Sequence, residues 1–220
     1  MDDFNSACNY CGIELNNNQL DLFKKYHKIL LEWNEKINVI SRKEENILER
    51  HFLDSILFLP EIENLCKYWS QPAPTGNVLD IGSGGGFPAI PLAIMKPDWR
   101  FILCESIKKK TIFLTHLVKE LALKNTQIQN VRVEMLHTTS LHSDNKFNLV
   151  TARAVAKLDV LIKYALPLLK KGGYLIAYKA KEIDEEVRNT ERTIKKNNLE
   201  LKIVSKELNT IERKLIVVKK

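Results

Sequence analysis

The sequence predicts an α/β fold: a mostly parallel, seven-stranded sheet with helices on both faces, preceded by an N-terminal helical extension. Apolar residues recur at helical spacing in the first part of the chain, a stretch with two prolines and a glycine follows, and short apolar segments then alternate with helical ones. Strands that alternate with helices of this length indicate a parallel sheet covered on both faces. The 220 residues, of which 45% are hydrophobic, suffice for one such domain with an extension.

The first part of the chain is predicted to be helical. Between residues 19 and 37, apolar side chains recur at spacings that place them on one helix face. A second helix is predicted over residues 44–59, where Pro60 would end it. Residues 68–77 contain the two prolines and the glycine, so they are predicted to link the extension, residues 1–70, to the main domain, residues 71–220.

The main domain follows a strand–helix alternation. The seven predicted strands are residues 77–81, 100–105, 127–133, 147–151, 174–178, 199–204 and 214–218. The predicted helices are residues 88–95, 107–121, 157–169 and 181–196. Because no helix separates the last two strands, one of them is expected to run antiparallel at the sheet edge.

The net charge, the hydropathy and the cysteines indicate which binding partners and which cellular location to expect. The net charge of +7 fits a polyanionic partner such as RNA, and it fits a generally basic proteome equally well. No apolar run approaches the ~20 residues that a membrane span needs, and the N-terminus lacks the pattern of a secretory signal. A cytoplasmic protein without a membrane segment is therefore expected. Cys8 and Cys11 form an isolated C-x-x-C without further ligands at metal spacing, so no metal site is predicted.

A glycine-rich loop, residues 80–87 (Asp-Ile-Gly-Ser-Gly-Gly-Gly-Phe), ends the first predicted strand. Ligands of parallel α/β sheets bind at this end of the strands. A dinucleotide fingerprint starting at Gly82 would need glycine at position 87, where Phe87 stands, and the Gly-Lys-Ser/Thr of a P-loop is absent. Pro88 and Pro91 also remove backbone N–H groups that a pyrophosphate would use. The loop therefore favours a cofactor without phosphate.

S-adenosylmethionine meets that condition, because it carries a sulfonium cation and an amino acid. Asp80 would place negative charge near the cationic end, and Glu105, at the end of the second strand, would accept hydrogen bonds from the ribose hydroxyls. The alternatives are that Asp80 caps the turn amides and that Glu105 is a solvated strand end. With Gly82 and Gly84 in the loop, the sequence predicts a class I, Rossmann-like methyltransferase that uses S-adenosylmethionine.

Four segments carry a family resemblance: residues 32–39 (EWNEKINV), 50–55 (RHFLDS), 78–91 and 151–154 (TARA). In these segments the chain resembles the bacterial small-subunit ribosomal RNA guanine-N7-methyltransferase family, also called glucose-inhibited division protein B. Weaker similarity at residues 177–179 and 213–219 extends the match over nearly the whole chain after the first fifteen or so residues. Ala89 stands where the family often has glycine, a change that should not abolish cofactor binding.

The resemblance implies S-adenosylmethionine as co-substrate and 16S ribosomal RNA of the small subunit as partner, with methylation at N7 of one guanine. It also implies cofactor contacts by Gly82, Phe87, Val133, Glu134 and Arg153. A monomer is expected. The alternatives are a small-molecule methyltransferase on the same fold and an RNA-binding module with an inactive pocket.

Methylation of guanine N7 requires orientation more than proton transfer, because N7 already carries an available lone pair. Arg153 and Lys179, at the ends of the fourth and fifth strands, are the catalytic candidates that would orient the guanine; each could also be a surface cation. Residues 108–110, three lysines, fit RNA phosphates or a solvated helix face. His51 and Asp54, three residues apart, are either orienting groups or a buried polar pair that fixes the helix to the main domain.

Overall fold

The computed structural model describes residues 1–67, 76–138, 147–179, 183–208 and 211–220. Its centre is a seven-stranded sheet of order β3-β2-β1-β4-β5-β7-β6. The strands are β1 Asn77–Ile81, β2 Arg100–Cys104, β3 Thr126–Gln129, β4 Phe147–Arg153, β5 Leu169–Lys179, β6 Glu200–Leu208 and β7 Ile211–Lys219. The α-helices are α1 Asp2–Tyr10, α2 Asn17–Asn34, α3 Asp54–Ile56, α4 Leu59–Cys66, α5 Ala89–Met95, α6 Lys108–Glu120, α7 Leu158–Leu168, α8 Asp184–Arg188 and α9 Glu191–Lys196.

The sheet confirms the predicted α/β class and strand number. Strands β1 to β5 are parallel to their neighbours, whereas β7 pairs antiparallel with both β5 and β6. The antiparallel strand is confirmed, but it lies one position inside the edge, which β6 forms. Strand β7 therefore lies between β5 and β6.

The segment before α4 differs from its prediction. Residues 44–59 do not form one helix: a π-helical segment, Leu48–Leu53, precedes α3, and α4 begins at Leu59. Pro60 therefore lies in the first turn of a helix instead of ending one, because an N–H group there has no intrahelical partner to lose.

Three further bounds differ in the main domain. Strand β3 ends at Gln129, and a 3₁₀ helix, Val133–Thr138, occupies the predicted end of that strand. Strand β5 begins at Leu169, five residues before its predicted start at residue 174. The predicted helix over residues 181–196 is divided into α8 and α9, and residues 181–182 lie outside the described residues.

The N-terminal helices pack on one face of the sheet. Phe23 of α2 and Phe52 of the π-helical segment are buried in the same core as Phe101 of β2 and Leu149 of β4. A second core, around α7, covers the other face. The predicted domain boundary at residue 70 lies outside the described residues, so the division into two parts stays a prediction. Across the described ranges, no helix is long and apolar enough to cross a membrane.

Candidate cofactor and substrate site

The loop between β1 and α5 has a backbone that requires glycine. Gly82, Gly84 and Gly86 have φ angles of 67°, 52° and 93°, in the left-handed region where side chains are strained. A Cβ on Gly82 would lie 2.7 Å from Cγ2 of Val155, and one on Gly86 would lie 2.7 Å from the hydroxyl of Tyr26. At Gly82 and Gly86 the backbone therefore packs too closely against neighbouring side chains to accommodate any residue but glycine.

An aromatic group supports this loop from the N-terminal helices. Tyr26 of α2 donates a hydrogen bond to the carbonyl of Gly85. Its ring stacks on Phe87 with centroids 5.3 Å apart, and the His51 ring lies 4.9 Å from Phe87. Phe87 is only 6% exposed, so much of its surface packs in the core beneath the loop. Tyr26 thus couples the helical extension directly to the predicted cofactor loop.

Asp80, at the end of β1, is 1% exposed. Its Oδ1 accepts a hydrogen bond of 2.7 Å from the Thr151 hydroxyl on β4, but its Oδ2 has no hydrogen-bond partner among the described residues. Burial raises the pKa of this carboxyl to about 7. A buried oxygen without a donor is unfavourable, and the ammonium group of S-adenosylmethionine would supply both a donor and a compensating charge. The residues present therefore fit the cationic end of this cofactor.

Glu105, which follows β2, is buried and is not a solvated strand end. Its Oε2 accepts a hydrogen bond of 2.8 Å from the Gly84 N–H, and its Oε1 accepts one of 2.8 Å from the Ile107 N–H. The carboxylate thus joins the glycine loop to the start of α6. Each oxygen keeps further acceptor capacity for a ribose hydroxyl.

Two cavities share Gly82 in their walls, and we refer to the two together as the groove. The first has a volume of about 240 Å³. Its walls include Ile81, Cys104, Val131, Val133, Glu134 and Tyr164. The second has a volume of about 210 Å³. Its walls include Ile40, His51, Gly84, Phe87, Lys110 and Arg153. The first is the more apolar slot and suits an adenine ring, whereas the second brings two cations beside the glycine loop.

Val133 and Glu134 lie in the 3₁₀ helix after β3, at the wall of the first cavity. The Glu134 carboxylate accepts a hydrogen bond of 2.8 Å from the Tyr164 hydroxyl. Hydrogen bonds from its own backbone and from Tyr164 lower the pKa of Glu134. The carboxylate is therefore held in its ionised, accepting form beside the slot.

Arg153, the last residue of β4, lines the second cavity and is fixed by the helical extension. Its guanidinium lies 3.1 Å from Oδ2 of Asp54 and donates to the carbonyl of Arg50. Asp54 also lies 3.4 Å from Nε of Arg213 on β7. Burial raises the pKa of Asp54, and the two arginines oppose that change. Asp54 therefore fixes its helix to strands β4 and β7 of the main domain, through Arg153 and Arg213.

His51 belongs to the cavity wall and does not pair with Asp54. Its Nε2 lies 3.2 Å from a Glu44 carboxylate oxygen, and its ring contacts Phe87. Burial, together with the nearby Arg153 charge, lowers the pKa of His51 to about 4. The imidazole is therefore neutral near neutral pH.

Lys179 is separated from the other candidates. Its Nζ lies 2.7 Å from the carboxylate of Glu186 on α8 and donates to the carbonyl of Ala156. It lines neither of the two cavities. The groove thus brings together Gly82, Gly84, Phe87, Val133, Glu134 and Arg153. Asp80 and Glu105 are buried next to the glycine loop and, like Lys179, do not line either cavity.

Sequence reasoning missed Asn34, the last residue of α2. Its Oδ1 accepts hydrogen bonds from Val39 N (2.9 Å) and Ile40 N (3.0 Å). Val39, Ile40 and Ser41 line the second cavity, so Asn34 fixes one of its walls. Asn34 lies in the segment EWNEKINV, one of those that carry the family resemblance. That resemblance did not indicate which groups the Asn34 side chain contacts.

Within the described part of the chain, no group of three or more His, Cys, Asp or Glu side chains is arranged to hold a metal ion. Cys8, Cys11, Cys66 and Cys104 are all free thiols.

Comparison with known proteins identifies a family. The family model described as rRNA small subunit methyltransferase G (GidB) matches residues 19–216. A relative of that name from Desulfitobacterium hafniense is 38% identical over 192 residues, covering 87% of this chain and 75% of its own length. Another from Lachnoclostridium phytofermentans is 37% identical over 214 residues, covering 95% and 84%.

Solved structures support the fold alone. A precorrin-6y C5,15-methyltransferase from Geobacter metallireducens has a TM-score of 0.55 at 13% identity, covering 82% of this chain and 93% of its own. The M. jannaschii TYW2 structure in complex with AdoMet has a TM-score of 0.52 at 16% identity, covering 73% and 74%. The architecture is therefore that of Rossmann-like methyltransferases.

Proposed function

Because the chain belongs to the rRNA small subunit methyltransferase G family, we propose that it transfers the methyl group of S-adenosylmethionine to N7 of one guanine in 16S ribosomal RNA. The observation that carries this proposal is the groove at Gly82, where a loop that requires glycine lies beside the buried Asp80 oxygen that has no partner. A ribosomal substrate also implies action in the cytoplasm. Since the groove is built from one chain, a monomer suffices.

The two cavities suggest how the cofactor lies. Asp80 would hold the ammonium group, and the glycine loop at Gly82 and Gly84 would let the amino acid approach the backbone closely. Glu105 would accept hydrogen bonds from the ribose. Val133 and Glu134 would border the adenine in the first cavity. This assignment leaves the second cavity for the reacting methyl group and the guanine.

Methyl transfer to guanine N7 requires the protein mainly to position the cofactor and the base. The cofactor supplies an electrophilic methyl group on a sulfonium, which guanine N7 attacks while the S–C bond breaks and its electrons remain on sulfur. The positive charge passes to the guanine, and no proton is lost. The neutral His51 is therefore not needed as a base, and the cavity walls act by orienting the base and excluding water.

Arg153 is the stronger of the two orienting candidates. It lines the second cavity, and its contacts with Asp54 and the Arg50 carbonyl hold the guanidinium in place. Lys179 could reach a substrate only by giving up its ion pair with Glu186. We therefore assign orientation of the guanine to Arg153 and only an auxiliary role to Lys179.

The direct test uses tritiated S-adenosylmethionine and small ribosomal subunits from a strain that lacks this methylation. We expect label at one guanine, at which reduction and aniline cleavage, specific for N7-methylguanine, break the RNA chain. Absence of label from RNA would contradict the proposed activity. Label on an exocyclic amine would contradict the N7 assignment alone.

A pair of glycine variants tests the cofactor loop. Gly82→Ala brings Cβ to 2.7 Å from Val155 and should abolish S-adenosylmethionine binding, as measured by isothermal titration calorimetry. Gly172→Ala is the matched control, because Gly172 also has a positive φ, of 75°, but its Cβ would meet nothing within 4 Å. Equal cofactor affinity in the two variants would show that the loop is not the cofactor site.

A further inference from the structure

Lys110 lies in the first turn of α6 and lines the second cavity beside Gly84. A Cβ on Gly84 would lie 3.9 Å from the Lys110 Nζ. The side chain is half-buried. Its ammonium group therefore lies next to the glycine loop, in the wall of the second cavity.

The charge of Lys110 is not balanced within the protein. Arg153, the other cation of the cavity wall, is paired with Asp54, whereas Lys110 has no ion pair or hydrogen bond among the described residues. Lys108 and Lys109 precede it, and the first turn of α6 contains no acidic residue. Positive charge at a helix start opposes the helix dipole. The arrangement therefore costs stability and leaves Lys110 available for an external anion.

We propose that Lys110 binds a phosphate group of the RNA backbone next to the target guanine and so positions that nucleotide over the second cavity. This inference rests on the proposed function. Lysine binds phosphate as a point charge, and phosphate contacts fix the register of a nucleic acid on a protein.

The charge change during methyl transfer favours a phosphate over the guanine itself. The charge of Arg153 is balanced by Asp54, whereas that of Lys110 is not. A cation without a counterion that donates to O6, beside N7 on the same edge of the base, would withdraw electron density from the attacking atom. It would also repel the guanine as the base becomes positively charged. A phosphate keeps its negative charge throughout, so its contact with Lys110 holds the nucleotide without opposing the reaction.

The experiment measures the salt dependence of RNA methylation by Lys110→Met, Lys110→Arg and the unaltered protein. One phosphate contact contributes about 0.7 to 0.9 to the slope of log KM against log salt concentration. For Lys110→Met we expect the slope to fall by about that amount and KM for RNA to rise roughly fivefold at about 0.1 M potassium chloride. Lys110→Arg should restore the slope, and the S-adenosylmethionine affinity of Lys110→Met should be unchanged by calorimetry.

Lys119→Met is the matched control, because Lys119 lies at the opposite end of the same helix; its slope should equal that of the unaltered protein. A loss of cofactor affinity in Lys110→Met with an unchanged slope would overturn the proposal and assign the lysine to the cofactor carboxylate. A fall in kcat with an unchanged slope would overturn it in favour of a contact with the base. If the unaltered protein labels no RNA, the proposed function fails instead.

Discussion

At the scale of single residues, Asp80 has an unusual combination of burial and missing partners. The folded protein holds this carboxyl with one oxygen bonded to Thr151 and the other without a donor, and burial raises its pKa from 3.8 to about 7. Between those two pH values the folded state binds a proton that the unfolded state releases. Without a ligand, this group therefore destabilises the fold increasingly as the pH rises from about 4 to about 7.

Burial favours the protonated form of Asp80, whereas a cation bound beside it stabilises the ionised carboxylate and lowers its pKa. We expect S-adenosylmethionine binding at pH 6 to release about one proton. The cofactor affinity should rise with pH towards 7 and then level off. Calorimetry in two buffers of different ionisation enthalpy measures the released proton directly.

Asp80→Asn should abolish this proton release and weaken binding, because the neutral amide offers no charge. Asp159→Asn serves as the control, since Asp159 lies on α7 in a partly exposed pair with Lys163 and should not affect the release. Binding at pH 6 with no dependence on the buffer would show that Asp80 does not face the ammonium group.

At the scale of elements, the segment after α2 forms a wall of the second cavity through one side chain. Asn34→Ala removes the acceptor of two backbone N–H groups, each of which costs about 1–3 kcal/mol when buried without a partner. We expect a lower midpoint of thermal unfolding and a kcat that falls further than cofactor affinity, because Val39 and Ile40 lose their fixed positions. Asn34→Asp, which keeps an acceptor oxygen, should recover part of the kcat.

Asn125→Ala separates the loss of stability from the loss of activity. Asn125 also makes two hydrogen bonds to backbone, donating to the carbonyls of Ala93 (3.1 Å) and Lys96 (3.2 Å), but it lies at the opposite end of the strands from the glycine loop. Its variant should lose stability and keep kcat. Equal loss of kcat in both variants would mean that Asn34 acts only through overall stability.

The elements also show what the sequence could predict. The first two strands were predicted to within one residue, because each is a short, mostly apolar run that ends at a turn or loop. Pro60 was misinterpreted because proline is compatible with both the first turn of a helix and the position after its end. The contacts of Asn34 span five and six residues, and the pair of Lys179 with Glu186 spans seven. Asn34 and Lys179 are the last residues of α2 and β5, and beyond the end of an element its periodicity no longer indicates which groups a side chain meets.

At the scale of the whole molecule, the helical extension and the sheet share one core. The Phe52 ring is fully buried, with ring centroids 6.0 Å from Phe23, 4.7 Å from Tyr26 and 5.1 Å from Phe87. Phe52 therefore links the extension to the glycine loop. A core that is continuous across the predicted boundary at residue 70 favours unfolding in a single transition.

Phe52→Ala tests this continuity. Removing a fully buried phenylalanine should lower the free energy of unfolding by about 3–5 kcal/mol. Because the core is shared, the whole chain should unfold at the lower denaturant concentration, and the tryptophan fluorescence should change together with the circular dichroism of the helices and strands. Leu161→Ala, in the core on the other face, should shift the same single transition. If Phe52→Ala instead separates an early fluorescence change from a later loss of the sheet, residues 1–70 and 71–220 unfold independently, and Phe52 supports only the extension.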